Sequence, residues 1–374
     1  MTVLRFTATP LTPIHIGSGA TLAPEDYLLH DRQLIRFNRS AVLRDMRPEV
    51  RQRLERALDG NQFDHAQTII RDACHPQRHA LGRIAVSEES YEALRVLVAR
   101  PESPVRGREV HPFVRNPHTG QPFIPGSSLK GAIRTALINQ FTQNELGYIA
   151  ADVANAQERY KGQTLETAAL NFKFSSMEAD PLRLVKVADA TLPDGSTRID
   201  RVLHIQRGKP PSDIQMHFER LLSVGDGQPV TFTVELALNE QALNNAHVER
   251  LLGRRLSFDL IRKACNGFYT GRLLSEHQRF FSDDPLPEAR YGAQGLVKLQ
   301  PDKILIAKSL REQGMLLRIG RFSHFESLSV DELRQGWNIQ RKQPIEEGST
   351  RSLCRRANAG LPMPFGWLLL KPAD

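Results

Sequence analysis

The 374-residue chain is poor in sulfur and in tryptophan, with three cysteines and two tryptophans. Cys74, Cys265 and Cys354 lie too far apart to read as a disulfide framework, and so few thiols suit a reducing compartment. No run approaches the ~20 consecutive apolar residues that a membrane helix needs. The opening "MTVLRFTATPLTP" lacks the apolar stretch of a secretory signal. These absences lead us to expect a cytoplasmic chain with no membrane association. A nucleotide-hydrolysis loop is missing too. "FIPGSSLKGAIRTAL" (Phe123–Leu137) brings glycine, serines and lysine together, but Lys130 precedes Gly131. A Walker A loop places its lysine after the last glycine.

Positive charge is plentiful. Lysine and arginine total 50 against 42 aspartates and glutamates, a formal charge of +8, and arginine greatly outnumbers lysine. Arginine is the better side chain for planar, bidentate phosphate contacts, so this balance favours a nucleic acid or another polyanion as partner. With 40% hydrophobic and 25% charged residues, the composition is that of a globular protein long enough for two domains.

"VLRFTAT" alternates, with Leu4, Phe6 and Ala8 on one face and Arg5, Thr7 and Thr9 on the other, which predicts a half-buried strand. "EDYLLHDRQLIRFN" predicts a hairpin with His30 and Asp31 in its connection. From Ser40 to about Arg100 the period becomes helical, with Ser40 and Ser87 as candidate N-caps. Pro101–Gln121 reads as an exposed connection. In the quoted stretch Leu129, Ala132, Ile133, Ala136, Leu137 and Phe141 follow helical spacing, so a helix begins at Ser127 or Ser128. Strand character returns in Arg183–Pro193 and Ser196–Asp213. Gln228–Asn239 is a clear strand and Glu240–Gly271 is helix-rich; Gly314–Val330 and Pro364–Ala373 supply late strands. We therefore expect an α+β fold in two units, residues 1–195 and 196–374, with a helical insertion at about 40–100 in the first.

Glycine turns carry the functional signal. A helix start exposes unpaired N–H groups and the positive end of the dipole. Ser127 and Ser128 can cap these amides or meet a phosphate; Gly126 allows the turn, and Gly131 leaves room for an approaching backbone. Lys130 and Arg134, four apart, complete an expected phosphate clamp without base discrimination. A capped helix bearing two solvated cations is the plainer alternative. Similar turns occur at "IHIGSG" (His15, Gly17, Gly19), "RIGRFSHFES" (Gly320, Arg321) and "EEGSTRSLCRR" (Gly348, Arg351, Arg355, Arg356). Their repetition suggests a surface that tracks a polynucleotide backbone.

"FIPGSSLKGAIRTAL" resembles the signature of the RAMP superfamily of CRISPR-associated proteins. "LTPIHIGSG" and "GSTRSLC…LPMPFGWLLL" resemble in particular the family of fifth Csm subunits of type III-A interference complexes. Ser40–Arg100 and most of Thr191–Arg311 carry no such motif. The resemblance implies two tandem ferredoxin-like, RRM-like domains and a non-catalytic RNA-binding subunit without cofactor. It would cap a backbone filament at the 3′ end of a guide (CRISPR) RNA. The implied partners are that RNA, other Csm subunits (the backbone RAMP subunit above all) and host nucleases that trim the guide. The implied RNA-binding positions are His15, Gly17, Gly19, Gly126, Ser127, Ser128, Lys130, Gly131, Arg134, Gly320, Arg321 and Arg351.

Other readings compete. Some RAMP relatives cleave guide precursors without metal, using a histidine as general acid/base; His15 is the candidate, helped by Tyr27 or Lys130. Asp26 is the candidate for an aspartate that cleaves target RNA, though turn residues look the same. No HD dyad or GGDD motif is present. Cys74, His75 and His79, with His111 and His118, are the only grouping that suggests a metal, and they lack the paired spacing of structural zinc. The arginines of "EVRQRLERALDG" are equally at home on a solvated helix. A basic protein-interaction module that binds no RNA is the remaining class.

Overall fold

The computed structural model describes residues 2–99, 105–173, 175, 179–206, 209–227, 230–239, 256–280, 306–328, 330–334, 336–338, 342–345, 347–355 and 362–373. β1 (Thr2–Pro10) follows its pattern, with Phe6 and Ala8 buried and Arg5 and Thr7 exposed. β2 (Tyr27–His30) and β3 (Gln33–Phe37) form the expected hairpin. Asp31 and Arg32 between them have φ of 48° and 57°, and two left-handed residues match the strand twist.

The helical insertion contains α1 (Arg39–Asp45), α2 (Pro48–Asp59) and α3 (Phe63–Asp72), closed over a small core that includes Val42, Leu54 and Ile69. Two expectations need correction here. The cap of α1 is Asn38, whose side chain accepts the Ala41 N–H at 3.2 Å, not Ser40. The insertion is also not wholly helical, because Ile84 and Val86 alternate with exposed neighbours and form β4 (Ala80–Val86) beside β3. Ser87 then occupies the N-cap position of α4 (Glu88–Val98).

After α5 (Val105–Arg108), β5 (Val110–His111) and β6 (Phe123–Ile124) come α6 (Gly126–Asn144), α7 (Leu146–Asn155) and α8 (Lys161–Leu170). Next are β7 (Val185–Val187), β8 (Ala190–Thr191), β9 (Thr197–Gln206), β10 (Lys209–Leu221), β11 (Phe232–Leu238) and α9 (Phe258–Phe280). The first part of the helix expected over Glu240–Gly271 lies outside the described residues, as does Arg356. The chain continues through β12 (Met315–Arg318), β13 (Gly336–Asn338), β14 (Gln343–Ile345), β15 (Thr350–Arg355), β16 (Met363–Pro364) and β17 (Trp367–Pro372).

The result is a mixed α+β fold with two principal sheets. One has the order β12-β17-β1-β11-β7; the other has β16-β15-β9-β4-β3-β2, with β10 also paired to β9. Each sheet takes strands from both sides of residue 195. β1 lies between two late strands, pairing Phe6 with Val234 of β11 and Ala8 with Leu370 of β17. α6 and α9 pack into the same core as this sheet, which buries Ile133, Leu137, Phe268, Tyr269 and Trp367. The Tyr269 hydroxyl donates to the Ala132 carbonyl at 3.0 Å and so joins the two helices. Among the described residues no helix is long and apolar enough to cross a membrane.

Candidate nucleic-acid interface

The start of α6 is fixed by contacts remote in sequence. Pro125 is its N-cap, and neither Ser127 nor Ser128 caps it. Instead the Gly126 N–H donates to Asp189 Oδ1 at 2.7 Å. A Cβ on Gly126 would overlap the Val187 carbonyl, so glycine permits the helix to begin against the backbone that follows β7. Gly126 is thus a packing residue whose amide is already satisfied. Ser127 and Gly131, one turn apart, remain exposed, and a Cβ on Gly131 would meet nothing within 4 Å.

That open face meets two other glycine turns. The Arg321 N–H donates to the His15 carbonyl at 2.9 Å, and the Ile319 N–H to the Gly366 carbonyl at 2.9 Å. Gly320 has φ +90°, and a Cβ there would stand 2.5 Å from the His15 carbonyl oxygen, so both conformation and space demand glycine. The three turns enclose a cleft of about 620 Å3 lined by Gly17, Gly19, Ser127, Ser128, Gly131, Gly320 and Arg321. Seven of the positions expected from sequence are thereby brought together. Thr135, Tyr269 and Ser323 also line the cleft and were not anticipated. Thr135 carried a usable signal, since it stands one turn beyond Gly131 on the same helical face.

His15, Arg134 and Arg351 have other roles. The His15 ring is 1% exposed, caged by Phe113, Phe218 and Phe322, and its Nδ1 lies 2.6 Å from the Glu219 carbonyl. Its Nε2 is buried without a hydrogen-bond partner among the described residues. Burial lowers its pKa to about 4, against the opposing pull of the Glu219 carbonyl. The ring supports the turn from beneath and its nitrogens do not reach solvent. Arg134 donates through Nε to Glu166 of α8 and through Nη1 to Asp180 at 2.7 Å, so its charge is spent within the fold. Arg351 is 2% exposed and binds Glu276 at 2.7 Å and Glu326 at 3.0 Å. Arg318 and the Trp367 indole converge on the same Glu276 carboxylate, so the expected surface arginine is a member of a buried network.

Lys130 is half-buried beside the cleft, and its pKa is lowered by burial. Neither it nor the exposed Arg321 has an ion pair among the described residues; the Arg321 guanidinium lies 5.4 Å from the Phe218 ring centre.

The alternative catalytic and metal candidates are likewise engaged. Tyr27 is buried and donates to the Arg108 carbonyl at 2.6 Å, while Asp26 accepts the Ala23 N–H at 3.0 Å and pairs with Arg39. Cys74 packs into the core of the insertion, and His79 Nδ1 accepts the His75 N–H at 2.9 Å. His111 stacks on Phe218, and the His118 N–H is held by Asn116 in a turn. Among the described residues no group of three or more His, Cys, Asp or Glu is placed to hold a metal.

Comparison with known proteins agrees with this architecture. The chain is 29% identical over 134 residues to the Csm5 protein of Streptococcus thermophilus and 21% identical over 269 residues to that of Methanocaldococcus jannaschii. Those matches cover 34% and 69% of this chain, and span only 36% and 59% of the relatives' own lengths. A chain in the cryo-EM structure of a type III-A Csm–crRNA–target RNA ternary complex superimposes with a TM-score of 0.62 at 18% identity, covering 99% of this chain and 100% of that one. The crystal structure of T. onnurineus Csm5 gives 0.55 at 17% identity, covering 97% and 99%. At these identities the superpositions speak to fold alone. The RAMP superfamily profile matches residues 7–272, well over half of the sequence, and the chain belongs to that superfamily.

Proposed function

We propose that this protein is a non-catalytic, RNA-binding Csm subunit of a type III-A CRISPR effector complex. In this reading it consists of tandem ferredoxin-like units and caps the backbone filament at the 3′ end of the guide RNA, where it supports guide maturation. One observation carries the RNA-binding part. Three glycine turns from residues 14–19, 126–131 and 318–323 line one cleft, whose surface offers open glycine backbone, serine hydroxyls and an arginine with no carboxylate partner among the described residues. Such a surface suits a phosphodiester backbone, which needs close approach and hydrogen-bond donors but no base readout. The placement of His15, with both ring nitrogens withdrawn from solvent, argues for a supporting role and against its acting as a general acid or base.

The test is salt-dependent binding of single-stranded RNA by the chain, alone and with a backbone subunit. Affinity should fall with salt, and Arg321→Ala should flatten the log–log slope by about one unit for all sequences alike. A base-selective effect would contradict backbone tracking. Absence of RNA affinity in both settings would refute the reading, and metal-independent cleavage of guide precursor that His15→Ala abolishes would replace it with the nuclease.

A further inference from the structure

A second concavity of about 590 Å3 adjoins the glycine cleft, and Thr135 and Leu328 line both. α6, α7, α8 and the segment around Phe325 wall it. Its volume falls within the ~300–1,000 Å3 of small-molecule sites. Val153, Leu165 and Phe325 give it apolar lining, and each of these is only half-buried. Glu158 and Glu166 are the carboxylates in its lining. Glu166 Oε1 accepts from Arg134 Nε, whereas its Oε2 has no hydrogen bond among the described residues. Lys161 on the rim is paired with Glu158 at 2.8 Å.

We propose that this concavity receives one nucleobase from the single-stranded RNA whose backbone follows the glycine cleft. Phe325, Val153 and Leu165 would supply the stacking and apolar surface, and Glu166 would accept a base N–H. The proposal rests on the RNA-binding reading. Three features favour a base over an aliphatic side chain from another protein: the concavity adjoins the cleft, an aromatic residue contributes to its wall, and a carboxylate oxygen without a hydrogen bond among the described residues has a use there. Arg134 acquires a role of its own. It ties α6 to Glu166 of α8 and holds the wall in place, acting on RNA only through position.

The experiment uses the full chain, alone and with a backbone subunit, and a short single-stranded RNA carrying 2-aminopurine, or an abasic site, at each position in turn. Ala154, an exposed residue of α7 that lines the concavity, is replaced by tryptophan to fill it. Leu328→Ala is the second variant, chosen because Leu328 is 68% exposed and its truncation leaves the core intact. One RNA position in the wild-type complex should show changed 2-aminopurine fluorescence, and an abasic site there should cost about tenfold in affinity. Ala154→Trp should lose about the same factor with the salt slope unchanged, and the abasic site should then cost nothing further. Leu328→Ala should lose a few-fold.

Salt-dependent binding that neither variant nor any abasic site alters would overturn the base pocket while leaving the RNA-binding reading standing. Unchanged RNA affinity with loss of a copurifying Csm subunit would assign the concavity to protein and overturn the proposal equally. If the wild-type chain binds no RNA in either setting, both readings fall.

Discussion

Gly131→Ala separates the needs of the helix from those of a ligand. Gly131 lies in the interior of α6, where alanine should be the better residue by about 1 kcal/mol. Beyond its own helix backbone and chain neighbours, no described residue lies within 4 Å of the Cβ it would gain, so none opposes the change. The melting temperature should therefore rise by about 1–2 °C for a chain of this size. The same methyl would project into the glycine cleft. If a phosphodiester backbone passes over this turn, overpacking of about 1–3 kcal/mol would weaken RNA binding by roughly tenfold. Thermal unfolding and fluorescence anisotropy on one preparation read both effects. Gly320→Ala is the control: its positive φ and its 2.5 Å approach to the His15 carbonyl should lower stability as well as binding. A Gly131→Ala protein that is more stable yet binds RNA like wild type would refute the idea that this turn meets the ligand. One that is less stable would refute the helix argument itself.

Acid should destabilise the fold through two buried histidines. Burial lowers the pKa of His15 to about 4 and that of His217 to about 3, so both favour the neutral ring when folded, while the unfolded chain protonates them near 6.5. Their stabilisation is complete above pH 6.5 and is lost as the pH falls toward those values. Urea unfolding should show a decline of about 2–3 kcal/mol between pH 7.5 and 5.5 for the pair; stability that is flat across that interval would refute the account. Arg134→Ala and Lys130→Ala should part company. The first strips the partner from Glu166 and Asp180 and should cost about 2 kcal/mol in unfolding measurements with little change in salt slope. The second should leave stability nearly unchanged and weaken RNA binding across sequences alike.

The local periods were readable because they are set by neighbours. The alternation of β1 and β11, the β2–β3 turn and the apolar stripe of α6 all follow from residues a few positions apart. β4 was hidden among helices because its two buried residues are a short signal that only pairing with β3 completes. Convergence of the glycine turns depends on contacts that no local pattern records. β1 reaches β17 across almost the whole chain, and the Trp367 N–H is accepted by Thr12 at 3.0 Å. Arg134 shows the same limit. On a helical wheel it is a cation pointing away from the apolar stripe, and Glu166 and Asp180, far along the sequence, decide its role.

Arginine content is consequently a poor guide to where a polyanion could bind this protein. Arg220 is fully buried between Asp200 and Asp226, Arg272 faces Asp331, and Arg318 and Arg351 share Glu276. Planar guanidinium groups serve such pairs better than lysine would, because each can satisfy several acceptors from one position. Much of the arginine excess therefore holds strands and helices together. The cleft is built on a different principle: exposed glycines, small hydroxyls beside them, and Arg321, which like neighbouring Lys130 has no ion pair among the described residues. A surface of this kind forms few phosphate ion pairs, so the salt slope of the isolated chain should be shallow.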